Sequence, residues 1–238
     1  MIRRRRASLL AVLRSVLFMM MCFDPHHGMA QGTVEGKPQK YLRSEDEEKF
    51  SKYLYSESNK LLAAKAMSSI PETVLQRCSG LTVKGGQVLV LRPMSFRDDG
   101  IPKSGAWKQE YPVNGCADDM VLNLFFDVSA DAKINAMVGL PGSTRAEPVL
   151  QTDATRQVIF SVNAKAAQCP HFDIKNTRFE GYGLAEQKIP GLGGNAPIPP
   201  WRETWTLIGC GRTFDVPLNF IPSEHGGTFI AAGKVIER

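Results

Sequence analysis

Long apolar runs are missing from this chain of 238 residues. The longest, from Leu9 to Phe23, is interrupted by Arg14, and the uncharged part after it stops far short of the roughly 20 residues that span a bilayer. A stable membrane anchor is therefore not expected. Histidine is scarce, and beyond the first thirty residues only His171 and His225 occur. Beyond residue 30 no C-x-x-C and no closely spaced histidine pair is present, so a metal site is not expected. Equally missing are G-x-S-x-G, H-E-x-x-H, the phosphate-binding G-x-x-x-x-G-K and a calcium loop. The glycines from Gly181 to Gly194 are followed by Pro197, Pro199 and Pro200 where a dinucleotide fold needs a helix, so no cofactor is expected.

What is present begins with an address. Arg3 to Arg6, the apolar stretch and the small residues Gly28 and Ala30 read as a signal peptide over residues 1–30. That segment carries five arginines and one aspartate, so without it the formal charge of +5 falls to +1. The case for nucleic acid or an anionic membrane surface disappears with it. Residues 31–43 are polar and aperiodic and read as a flexible lead-in.

The strongest feature is internal similarity. From Trp107 to Gly139 and from Trp201 to Gly233 the chain aligns without a gap, with seven identities in 33 positions, among them both tryptophans, both Gly-Cys pairs and the phenylalanines Phe126 and Phe220. The expectation is an α+β protein made by tandem duplication of a helix plus antiparallel β-sheet module, over 44–148 and 149–238. Cys78, Cys116, Cys169 and Cys210 are even in number, as disulfides in an oxidising compartment require. Of the three pairings, the duplication selects Cys78 with Cys116 and Cys169 with Cys210, each closing a loop worth roughly 3 to 4 kcal/mol in the chain-entropy account.

Within the first module, Ser44 and Glu47 form a capping box, and Phe50, Leu54, Glu57, Leu61 and Ala64 make one stripe of a helix ending near Met67. Glu57 is the polar exception. Asp153 to Ala167, with Val158, Ile159, Val162 and Ala166 in step, is the counterpart helix, with a strand as the alternative. Period two then takes over. Val88, Val90, Trp107, Tyr111, Val113, Met120, Leu122, Leu124 and Phe126 fall on strand faces, as do Trp201, Trp205, Leu207, Phe214, Val216, Leu218 and Phe220. Turns at Ser129 to Lys133 and Ser223 to Gly227 close two antiparallel hairpins. Gln187 to Pro200, which includes Pro190 and Pro197, cannot be helix or interior strand and is a candidate partner contact.

Trp201, Glu203 and Trp205 alternate on one strand face, matched by Trp107, Gln109 and Tyr111. A carboxylate between two indoles would be desolvated and its pKa raised, as in a general acid. The plainer reading packs the tryptophans on the helix and sends Glu203 to the rim, in which case Glu203→Gln should leave stability nearly unchanged. Trp107, Tyr111, Trp201 and Trp205 could alternatively stack on sugar rings or grip a peptide. His171 and His225 are further acid or base candidates, although neither shows a partner in the sequence.

The ending from Trp201 to Arg238, with its W-x3-W-x4-C-G motif at Trp201, Trp205, Cys210 and Gly211, resembles exported bacterial proteins that share this terminus. That resemblance implies an envelope setting and no activity. Tandem helix-plus-sheet units with one disulfide each are also similar in architecture to secreted β-lactamase inhibitor proteins, without a shared motif. The expected function is an exported, periplasmic or secreted, disulfide-stabilised binding protein whose partner is a protein or polysaccharide of the envelope. The alternatives are a periplasmic hydrolase using Glu203 or a histidine, and a structural subunit of an envelope assembly.

Overall fold

The computed structural model describes residues 42–76, 78–83, 85–116, 120–183, 199–223 and 226–238. The signal-peptide reading over 1–30, most of the lead-in, Pro190, Pro197 and His225 lie outside the described residues. The chain divides into two compact units between Gly139 and Leu140, which gives residues 140–148 to the second unit rather than to the first.

In the first unit, helices α1 (Ser44–Leu54), α2 (Glu57–Met67) and the single turn α3 (Glu72–Leu75) precede strands β1 (Cys78–Val83), β2 (Gln87–Phe96), β3 (Pro102–Cys116), β4 (Met120–Val128) and β5 (Ile134–Val138). The long helix expected from Ser44 to Met67 is in fact two. The chain breaks at Ser56, whose backbone is extended and whose Oγ accepts the amide of Asn59 at 3.2 Å. The break explains the polar exception in the stripe: Glu57 is the first residue of α2, turned outward and paired with Lys60 at 2.8 Å. The helix starts at Ser44 itself, one residue earlier than a cap at Ser44 places it. Arg43 stands at the N-cap, where its side chain makes no capping bond and reaches Glu45 instead, and Glu45, Asp46 and Glu47 face the positive end of the dipole.

Strands β2 to β5 form an antiparallel meander, with β1 added beside the far end of β3. The alternation read from the sequence is the buried face. Val88, Trp107, Tyr111, Val113, Met120, Leu122, Leu124 and Phe126 are all buried and close on Phe50, Tyr53, Ala63, Ala66 and Met67 of the helices. Trp107 lies flat on Phe126, with centroids 4.9 Å apart, and takes the edges of Phe50 and Tyr53 at 5.6 and 5.7 Å. Burial of each such large side chain stabilises by roughly 1.5 to 3 kcal/mol.

The second unit has one main helix, α4 (Pro148–Asn163), then β6 (Asp173–Tyr182), β7 (Trp201–Gly209), β8 (Arg212–Pro222), β9 (Thr228–Ala232) and β10 (Ile236–Glu237). The expected helix forms, not the strand. It begins earlier than Asp153 because Pro148 fits the first helical position, where its missing N–H costs nothing. Ala154, Val158 and Val162 form its inner stripe, against Trp205, Leu207, Phe214, Val216, Leu218 and Phe220.

Both expected hairpins are present, and their registers agree position for position. Trp107 faces Phe126 and Trp201 faces Phe220; Gln109 faces Leu124 and Glu203 faces Leu218. Their turns close alike, Ser129 N to Lys133 O at 2.9 Å and Ser223 N to Gly227 O at 3.1 Å. Gly139 and Gly233 donate to Asn123 and Pro217 at 2.8 Å each. Disulfides join Cys78 to Cys116 and Cys169 to Cys210. The first ties β1 to the end of β3; the second ties the chain before β6 to the turn between β7 and β8.

Candidate functional site

The polar core of the second unit is built around Glu203. Its place near the start of β7, on the face that α4 covers, leaves it 1% exposed, so it does not reach the rim. Each carboxylate oxygen is occupied. Oε1 accepts the indole N–H of Trp201 at 2.9 Å and the backbone N–H of Arg145 at 2.7 Å, and Oε2 accepts the indole N–H of Trp205 at 2.7 Å. All three partners are donors that cannot take up a proton. The arrangement suits a carboxylate used as an acceptor and offers a general acid nothing to protonate.

The third donor comes from a segment that the strand pattern does not reveal. Residues 140–147 run along the outer edge of β6. There Thr177 donates to Pro141 O at 2.9 Å, Ser143 donates to Thr177 O at 2.7 Å, and Phe179 donates to Ser143 Oγ at 2.9 Å. Gly142 permits the approach: at φ 111° it is in a glycine conformation, and a Cβ there would lie 2.0 Å from Thr177 O. From α4, buried Gln151 accepts the amide of Leu140 at 2.9 Å and donates to Ala146 O at 2.8 Å. The segment is thus fixed from three sides.

One consequence appears at the surface. The guanidinium of Arg145 lies over the Phe179 ring, 5.1 Å from its centroid, and Phe179 meets Tyr182 edge-on at 5.1 Å. In a regular strand those two residues would point to opposite faces. An irregularity in register between Phe179 and Gly181 brings both to the face of Trp201 and Glu203, and leaves Tyr182 44% exposed.

The equivalent position in the first unit is wired differently. The hydroxyl of Tyr111 donates to Gln109 Oε1, and the indole N–H of Trp107 has no hydrogen-bond partner among the described residues. Burial alone pushes the Tyr111 hydroxyl well above the usual tyrosine range, and that of Tyr53 to about 12. Beside this core, the pairs that face Trp107 and Gln109 across β2 and β3 are Val90 and Val88, aliphatic where the second unit has Tyr182 and Phe179.

Trp107, Tyr111, Trp201 and Trp205, read as candidates for stacking on a ligand, are between 0% and 5% exposed and are core residues. Burial gives them no free ring face to present. His171 is at the surface, its Nε2 3.0 Å from Asp173 Oδ1, and it takes no part in the Glu203 network. Among the described residues no group of three histidine, cysteine, aspartate or glutamate side chains is placed to hold a metal ion, and no helix is long and apolar enough to cross a membrane. Sequence reading missed Arg145, Gly142, Gln151, Phe179 and Tyr182. Of these only Gly142 left a local sign.

The fold and this polar core define a mixed α+β protein with two similar antiparallel sheet units, each closed by a disulfide. No protein-family model, curated protein or solved structure matches the chain.

Proposed function

We propose that the chain is an exported, disulfide-stabilised binding protein of the bacterial envelope, periplasmic or secreted, whose two units arose by duplication of one module. Its partner is a protein or polysaccharide of that compartment. The observation that carries this reading is the use made of Glu203: the residue with the best claim to acid or base chemistry is consumed in fastening Arg145 to the core. Equal registers, equal turns and equally placed tryptophan–phenylalanine stacks, at 4.9 and 4.8 Å, support the duplication.

The test uses the oxidised chain from Gln31 onward, incubated separately with envelope polysaccharide and with solubilised envelope proteins. Saturable retention by one of them, abolished when the protein is reduced and unfolded, is the expected result. Turnover of glycosidic, ester or peptide substrates that is lost in Glu203→Gln, with no retention by either fraction, would establish the hydrolase instead.

A further inference from the structure

We infer that Arg145, Phe179 and Tyr182 form the contact surface for an acidic polysaccharide, one whose sugar rings carry carboxylates, and that Glu203 is the positioning residue that holds it in place. The inference rests on the binding reading above and names its ligand class.

Three independent features converge on these side chains. Arg145 is an exposed cation whose described contacts are the cation–π contact with Phe179 and the backbone bond to Glu203; no carboxylate pairs with its guanidinium among the described residues. An arginine placed over a ring by a cation–π contact still has N–H donors for a planar anion, which it can take with two parallel hydrogen bonds. The irregularity at Phe179 to Gly181 turns Tyr182 onto the same face, between Gly181 and Gly183, where among the described residues no atom lies within 4 Å of the place a Cβ would take. A flat, half-exposed ring suits the apolar face of a sugar.

The third feature is the contrast between the units. Gln109 shows that this register folds with a neutral amide. The second unit buries a carboxylate there instead, at a desolvation cost, and gains a fixed Arg145 backbone. Its neighbouring strand carries Phe179 and Tyr182 where the first unit carries Val88 and Val90. These three differences between the units lie together, on paired positions of neighbouring strands.

A peptide ligand fits less well. An extended peptide docks by adding to a strand edge, and along β6 that edge is taken at Thr177 and Phe179 by residues 141–143. What remains available is ring surface and charge.

The experiment is affinity electrophoresis of the oxidised protein through gels containing polygalacturonate, neutral dextran or poly-L-glutamate. Retardation by polygalacturonate and not by dextran is expected, weakened about tenfold by Arg145→Ala and by Tyr182→Ala, and less by Arg145→Lys. Both alanine variants alter exposed side chains, so their thermal midpoints should match wild type and keep a folding defect distinguishable. Equal retardation by poly-L-glutamate would reduce the effect to net charge and overturn the inference, as would no retardation at all. Polygalacturonate binding that survives both alanine substitutions would move the site elsewhere and overturn the patch. In each of these cases the binding reading is judged separately, by retention on the envelope fractions.

Discussion

Replacing Glu203 by glutamine changes one oxygen to an amide nitrogen and leaves the shape almost untouched, so its effect isolates the hydrogen bonds. The plain sequence reading expects almost no change; the structure requires a large one. In the better of its two orientations the glutamine keeps its oxygen toward Trp201 and Arg145 and turns its NH2 toward the indole N–H of Trp205, which lies 2.7 Å from the present oxygen. Two donors then face each other in a place that is 1% exposed. A hydrogen bond to a charged acceptor contributes about 1.5 to 3 kcal/mol, and stranding a buried donor costs about 1 to 3 more. Part of this is offset because a neutral amide is easier to bury than a carboxylate. The net expectation is a destabilisation of about 2 to 4 kcal/mol in the second unit, lowering its thermal midpoint by roughly 10 to 20 °C. Urea unfolding in a Trp107→Phe background reads this directly, because the remaining tryptophans, Trp201 and Trp205, both belong to that unit. A change below about 0.5 kcal/mol, the range of ordinary surface substitutions, would refute the claim that the carboxylate is a required acceptor.

The two stacked tryptophans should differ in a related way. Trp201→Phe strips a donor from buried Glu203, whereas Trp107 makes no such bond, so the former should cost about 1 to 2 kcal/mol more when each unit is followed separately; equal costs would contradict the assigned network. Ser56→Ala removes the cap of α2 and should cost about 1 kcal/mol by denaturant unfolding; an unchanged midpoint would contradict the assigned cap. At alkaline pH the first unit should unfold. Unfolded tyrosine releases its proton near 10.0, while Tyr53 in the fold holds it to about 12, so its contribution is complete below pH 10 and is lost as pH rises toward 12. Absorbance of tyrosinate followed together with circular dichroism should show Tyr53 ionising with unfolding, and Tyr53→Phe should flatten that limb of the stability curve.

The strands were readable because their cause is local. A buried face selects alternate apolar residues, so Trp107, Leu122, Leu124 and Phe126, and likewise Trp205, Leu207, Val216 and Leu218, announce themselves within a few positions. The break at Ser56 was marked too, by Glu57 standing in an apolar stripe. A helical pattern continued through it because Leu61 and Ala64 keep the spacing even after the axis changes.

By itself the sequence determined the sheet faces, the turn positions and the cysteine pairing, all of which follow from short-range periodicity and from comparing the chain with itself. Tertiary structure alone decided what Glu203 does. Its third donor, the amide of Arg145, comes from 58 residues away. That amide is delivered by a segment whose position depends on Thr177 at the edge of β6 and on Gln151 in α4. Alternation shows that a side chain points inward but not which distant groups meet it there. The same limit hid Tyr182, because one irregular step in register reverses the face on which every later residue of a strand is found.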